Sequence, residues 1–72
     1  MSKHKFQLKK GQDYIQLNKL LQILQVAQTG GHAKILIQNK EVSVNGLIET
    51  RVRNKLVEND IITVGDVSIK IE

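Results

Sequence analysis

The clearest periodicity along the chain is helical and begins at Leu17. Leucines recur at positions 17, 20, 21 and 24, which is the i, i+3, i+4, i+7 spacing of a single helix face. Ala27 extends this apolar stripe and Ile23 widens it, while polar residues such as Lys19 occupy the opposite side. The pattern predicts an amphipathic first helix over residues 17–27.

A second helix start is marked by Thr29, because a threonine hydroxyl can accept hydrogen bonds from the free N–H groups of a first helical turn. The two glycines that follow would allow a tight bend between helices and a close approach of their backbones. We expect a short helix over residues 31–39. The triplet at 35–37 contains two β-branched residues, so the pattern alone fits a buried strand equally well. In the helical interpretation the inward residues are Ala33, Leu36 and Ile37.

Alternation of apolar and polar residues replaces the helical period after position 41. Val42 and Val44 alternate with polar neighbours, as in a strand with one buried face. Asn45-Gly46 is the strongest short hairpin signal that a sequence offers, because both residues tolerate positive φ. We expect residues 47–55 to continue in an extended conformation on the far side of that turn.

The C-terminal part predicts a turn followed by a second hairpin. Residues 57–60 have turn composition, and Asn59 can adopt the left-handed conformation. Alternating apolar residues then flank Gly65-Asp66. Residues 6–8 also alternate and could form a short edge strand. A helical pair followed by a small antiparallel sheet predicts an α+β fold.

Composition indicates one small globular domain of 72 residues with 40% hydrophobic and 25% charged residues. The absence of cysteine excludes disulfides and thiolate metal sites, and it fits a reducing compartment. We expect residues 1–5 to form a loose basic tail rather than a secretory signal, since no apolar segment follows them. No apolar run approaches the length of a membrane helix, so a cytoplasmic location is expected.

The net charge of +4, with a pI near 9.6, favours a polyanionic partner, although many small proteins are equally basic. Arg51, Arg53 and Lys55 stand at alternate positions, so on an extended segment they would form one cationic row suited to phosphates. The alternative is that these cations only protect an edge strand from aggregation. Lys34 on the second helix would by default be a solvated lysine.

The sequence argues against enzymatic chemistry. His4 and His32, without cysteine or clustered acids, do not make a metal site. No serine or threonine has an evident base to activate it, and the glycine pair lacks the lysine and the spacing of a phosphate-binding loop. We therefore expect no cofactor and no small-molecule substrate. Phe6 and Tyr14 are the only aromatic residues, so a platform that stacks several bases is not expected.

The run GGHAK-x-x-I, followed by V-x-VNG-x-x-ETR-x-R-x-KL-x-x-x-D-x-I-x-V, resembles the ribosomal-protein-S-four-type RNA-binding domain, or αL motif. Within that family it is similar to the stand-alone bacterial branch of YbcJ/YaaA-like proteins, over residues 14–72. The resemblance implies a two-helix αL corner packed on a small twisted, mainly antiparallel sheet. It also implies that the apolar triplet is helical and that Lys34 faces phosphate.

The chain departs from the family pattern at several helix positions. The family tends to have arginine and aspartate where this chain has Gln16 and Asn18, and often has arginine where Gly30 stands. Lys40 replaces a glycine that commonly ends the second helix. These departures shift the expected RNA contacts toward the cations that follow Gly46.

The expected function is a non-catalytic module that binds structured RNA, such as ribosomal or transfer RNA, through a basic face. The alternative is a ubiquitin-like protein-interaction module whose basic face binds an acidic protein. We expect a monomer with no membrane partner. The predicted RNA-binding residues are Lys19, His32, Lys34, Asn45, Arg51, Arg53 and Lys55.

Overall fold

The computed structural model describes residues 2–72, in which two helices lie beside a five-stranded sheet and a two-stranded ribbon. The predicted fold class, a two-helix corner on a mainly antiparallel sheet, is confirmed. In chain order the elements are β1 (Ser2–Phe6), β2 (Ile15–Gln16), α1 (Leu17–Ile23), α2 (Gly30–Gln38), β3 (Val42–Val44), β4 (Leu47–Ile48), β5 (Lys55–Leu56), β6 (Ile61–Val64) and β7 (Val67–Ile71).

Helix α1 is shorter than its apolar stripe predicted. It ends at Ile23 because Gln25 turns into the left-handed region with φ +59°, which an α-helix cannot continue through. Ala27 lies outside the helix, yet it is buried, and its N–H donates to the Leu21 carbonyl at 2.9 Å. The stripe therefore identified Leu17, Leu20, Leu21 and Ala27 as buried, but Ile23 is exposed and the helix is one turn shorter than predicted.

Helix α2 begins where the sequence predicted. The Thr29 hydroxyl oxygen accepts from the His32 N–H at 3.0 Å, and Lys40, with φ +63°, follows the far end. The ambiguous triplet is helical, with Ile37 buried and Leu36 half-buried. The expected role of the glycines is wrong: a methyl group on Gly30 would meet its nearest neighbour at 3.6 Å, an ordinary contact. The bend between the helices therefore does not require glycine.

The N-terminal segment corrects another expectation, because residues 2–5 belong to β1 instead of a loose tail. Strand β1 pairs in parallel with β7, from Ser2 opposite Val67 to Phe6 opposite Ile71. The Glu72 N–H then donates to the Phe6 carbonyl at 2.8 Å. The edge of β7 supplies the hydrogen-bond partners of β1. Because β7 lies at the other end of the chain, the sequence around residues 2–5 gives no sign of this pairing. Met1 lies outside the described residues.

The main sheet has the order β1-β7-β6-β3-β4, and every pairing except that of β1 with β7 is antiparallel. Both predicted hairpins are present, and Asn45 and Gly46 have φ of +53° and +85° at the first of them. The turn at 57–60 is also present, with Asn59 at φ +77°. The prediction that residues 47–55 are extended throughout is wrong, since β4 stops at Ile48.

The core lies between the two helices and the inner face of the sheet. Leu17, Leu20 and Leu21 of α1 are fully buried, and each β-hairpin contributes inward residues from alternate positions. Neither helix within residues 2–72 has the length and apolar character needed to cross a membrane. The fully buried large side chains are Leu17, Leu20, Leu21, Ile37, Val42, Leu56, Ile62, Ile69 and Ile71.

Candidate functional site

The segment that carries the predicted cationic row is a loop docked on the start of α1. Gln16 makes no side-chain cap for this helix. Instead the Leu17 N–H donates to the Asn54 carbonyl at 2.9 Å, and the Asn18 N–H donates to the Val52 carbonyl at 3.1 Å. The first N–H groups of a helix need hydrogen-bond partners, and here the loop carbonyls supply them. These two hydrogen bonds hold the loop against α1.

Lys34 and Arg53 are brought together by this docking. They line one cavity, which we call the basic cleft, between the start of α2 and the loop. Both side chains belong to exposed residues, so their charges face solvent at the mouth of the cleft. The residues that define the basic cleft are Asn18, Gly30, Gly31, Lys34, Val52 and Arg53.

The basic cleft adjoins a second hollow lined by Arg51, Arg53, Asn54 and Lys55, and Arg53 belongs to both. The three cations are neighbours, but they do not form a row along one strand. The Asn54 N–H donates to the Arg51 carbonyl at 3.2 Å, so a turn separates Arg51 from Lys55 at the start of β5. The charges consequently spread around the loop.

Arg51 differs from the other two cations because its charge is already paired. Its guanidinium donates to both carboxylate oxygens of Glu49, at 3.1 and 3.0 Å, and its backbone N–H donates to the same carboxylate at 3.0 Å. These hydrogen bonds to Arg51 lower the pKa of Glu49 from 4.5 to about 2. Arg53 and Lys55 make no salt bridge within residues 2–72, so they carry more of the loop's available positive charge.

The structure separates the remaining predicted residues from the basic cleft. Lys19 lies on another side of α1, in a groove beside Tyr14. The Nδ1 atom of His32 accepts from the Gln28 N–H at 3.1 Å, which adds to the cap of α2. Nothing in the sequence pattern indicated that Lys19 and His32 would lie away from the basic cleft while Lys34 lines it.

Asn45 is engaged in folding contacts at the first hairpin. Its side-chain oxygen accepts from the Ile61 N–H at 2.9 Å, and its amide nitrogen donates to Asp60 at 3.0 Å. Asp60 in turn accepts from the Val57 N–H at 2.9 Å. Asn45 therefore joins the hairpin to the turn at 57–60.

Sequence reasoning missed two contributors to the site. Asn18 reaches the basic cleft, and its Oδ1 atom is buried without a hydrogen-bond partner among residues 2–72. An unsatisfied buried oxygen costs folding free energy. Tyr14 is the second: its ring lies 4.9 Å from Lys55 Nζ, a cation–π distance. The antiparallel pairing of β2 with β5, which creates that contact, had no signal in the sequence.

The arrangement offers cations, amides and backbone N–H groups, which are the groups that bind phosphate. Gly30 and Gly31 are the first residues of α2, where helical N–H groups lack partners within the helix. In the described part of the chain, no three His, Asp or Glu side chains come together as a metal site would need.

Comparisons with known proteins identify a family and a similar structure. The sequence model of the S4 domain family matches residues 6–72. The solution structure of YbcJ from E. coli, described as revealing an αL motif involved in RNA binding, has a TM-score of 0.70 against this chain. The two are 31% identical, with 93% of this chain and 84% of that one covered. Comparison with curated proteins gives no match.

Proposed function

Because the chain belongs to the S4 domain family, we propose that it is a non-catalytic module that binds structured RNA through the basic cleft. The similar fold of YbcJ, whose motif is described as involved in RNA binding, supports RNA as the partner. Ribosomal RNA and transfer RNA are the folded RNAs that we expect it to bind.

The observation that carries the proposal is the convergence of Lys34 and Arg53 on the first turn of α2. A phosphate at this position could receive hydrogen bonds from backbone N–H groups and positive charge from two side chains. The space around this first turn is open, since a methyl group on Gly31 would come within 4 Å only of the Thr29 hydroxyl. Arg51 is a weaker candidate because Glu49 neutralises it.

A preference for folded RNA follows from how the cations are held. Lys34 belongs to α2, Arg53 to the docked loop and Lys55 to β5, so their spacing is set by the fold. Cations whose backbone positions are set by the fold suit phosphates that a folded RNA holds at fixed distances. Affinity should therefore depend on phosphate geometry and on salt.

The proposal is tested with the triple variant Lys34→Ala/Arg53→Ala/Lys55→Ala and one RNA hairpin. Each lost phosphate contact lowers the slope of log affinity against log salt by just under one unit, so we expect the slope to fall by about two to three. All three residues are exposed, and stability should stay within about 1 kcal/mol of the parent. Affinity is measured by titration at several salt concentrations, and stability by urea unfolding.

The matched control is Lys3→Ala/Lys5→Ala/Lys70→Ala, which removes the same charge from the outer face of the sheet. Lys5 lies opposite Lys70, whose neighbours Ile69 and Ile71 are buried, so these lysines point away from the core. We expect this control to change affinity only slightly. Equal weakening by both triples would mean that general basicity, and not the basic cleft, binds RNA.

A further inference from the structure

A groove with both apolar and polar lining lies on another side of α1 from the basic cleft, between α1 and the loop that precedes β2. Two adjoining hollows share Gly11, Gln12, Ile15 and Ile23, and together they form what we call the Tyr14 groove. Ile15 is buried at its base, whereas Ile23 is 55% exposed at the end of α1. Tyr14 lines one part of the groove, and Phe6 lines the other.

The rim of the Tyr14 groove is fixed by its own hydrogen bonds. The Gln12 N–H donates to the Lys9 carbonyl at 2.9 Å, and the Lys9 N–H donates back to the Gln12 side chain at 3.0 Å. Gly11 has φ +85°, a conformation that a residue with a side chain rarely adopts. These two hydrogen bonds order the rim before a ligand binds. Binding would therefore cost little conformational entropy in this turn.

Charge around the Tyr14 groove favours an anionic ligand with an apolar, planar part. Lys19 lines the hollow that contains Tyr14, and Lys9 and Lys10 line the adjoining one. Asp13 is the acidic residue among the lining side chains. The hollow beside Tyr14 has a volume of about 510 Å³, within the range of small-ligand sites.

Lys55 connects the Tyr14 groove to the proposed RNA surface. Its Nζ atom lies 4.9 Å from the centre of the Tyr14 ring, while its side chain lines the hollow that adjoins the basic cleft. The pairing of Gln16 with Lys55 holds this contact in register. An RNA strand that leaves the basic cleft past Lys55 therefore meets the tyrosine ring next.

We propose that the Tyr14 groove takes one unpaired nucleotide of the bound RNA, with its base stacked on the face of the Tyr14 ring that is turned toward the groove and not covered by Lys55. Lys19 and Lys55 then supply positive charge for the two phosphates that flank this nucleotide. A single ring does not make a platform for several bases, but it suffices for one. The inference rests on the proposed RNA-binding function and adds to it the class of RNA: a folded RNA with an extruded nucleotide.

The test compares two RNA hairpins of the same stem and loop, one fully paired and one with a single bulged nucleotide. Stacking of one base on an aromatic ring corresponds to a preference of about five- to a hundredfold for the bulged hairpin. Tyr14→Ala should lose this preference and bind the paired hairpin as the parent does, whereas Tyr14→Phe should keep it. Tyr14 is the sole tyrosine in a chain without tryptophan, so quenching of its emission by the bulged hairpin alone reports stacking.

Ile61→Ala is the control, because Ile61 is 43% exposed on a different surface while Tyr14 is 40% exposed. It should leave the preference unchanged. Equal affinity of the parent for both hairpins, or a preference that survives Tyr14→Ala, overturns the inference while RNA binding stands; a groove that serves an acidic peptide would give this result. Failure of the parent to bind either hairpin overturns both the inference and the proposed function.

Discussion

Glu49 sets how much of the positive charge of the loop is available. Its carboxylate holds Arg51 through two guanidinium hydrogen bonds and one backbone hydrogen bond. The Glu49 side chain is only 15% exposed, whereas that of Arg51 is 75% exposed. The pair thus orders the beginning of the loop, and it removes one cation from the surface that would meet phosphate.

Glu49→Gln tests both effects. The pKa of Glu49 falls from 4.5 to about 2 in the folded state, so ionised Glu49 stabilises the fold above pH 4.5 and loses this effect as pH falls toward 2. We expect the urea midpoint of the variant to lie below that of the parent at pH 7, and the difference to vanish near pH 2. At neutral pH the released Arg51 should raise affinity for an RNA hairpin severalfold.

Glu58→Gln is the control for this prediction, because it makes the same change of charge at another exposed position. It should lower the urea midpoint at pH 7 much less. A stability difference between the Glu49 variant and its parent that stays constant from pH 7 to pH 2 would contradict the role assigned to this pair.

At the scale of elements, short segments are stabilised by their neighbours more than by their own length. Strands β2, β4 and β5 have two residues each, and α1 has seven. Isolated helices of this length are unstable in water, so packing of the apolar face must supply their stability. The two helices achieve this by packing on each other and on the sheet.

Leu21 and Leu36 provide a graded test of the helix pair. Leu21 of α1 is fully buried, and Leu21→Ala should cost about 2–5 kcal/mol. Leu36 of α2 is half-buried, so Leu36→Ala should cost less than Leu21→Ala. Urea unfolding of both variants checks the order. A larger loss at Leu36 would mean that α2 packs more deeply than the structure has it.

At the scale of the whole molecule, β1 forms one edge of the five-stranded sheet by pairing the first part of the chain with its last strand. It pairs with β7 over five residues, and Phe6 packs against the core. Pairing between segments this far apart in sequence costs loop-closure entropy, and the packing and hydrogen bonds of β1 offset it. Strand β1 is thus part of the fold of the domain.

Deletion of residues 2–6 measures this contribution. We expect a loss of at least about 2 kcal/mol of unfolding free energy, because an edge of β7 and part of the core become exposed. The double variant Lys3→Ala/Lys5→Ala keeps the strand while removing its charges, and it should stay within about 0.5 kcal/mol of the parent. If the variant without residues 2–6 unfolds at the same urea concentration as the parent, β1 does not contribute to the stability of the domain.

Signals that act within a few residues were predicted correctly from the sequence. Thr29 caps α2, Asn45-Gly46 turns the first hairpin and Asn59 takes positive φ, because each depends on the conformational preference of one or two residues. The family resemblance resolved the one segment, residues 35–37, whose local pattern fitted two structures. The identities of most core residues also followed from periodicity.

Only the tertiary structure decided which distant residues meet. The loop that contains Arg53 docks on α1 through backbone hydrogen bonds. Because backbone groups are common to nearly all residues, no side-chain pattern in the sequence predicts this contact. The pairing of β1 with β7 also depends on backbone hydrogen bonds and was not predicted. The same holds for the pairing of β2 with β5, which brings Tyr14 next to Lys55. The sequence by itself thus determined the turns, the helix start and the positive charge, whose preferences are local. The placement of that charge next to Lys34 and Tyr14 depends on pairings between residues far apart in the chain.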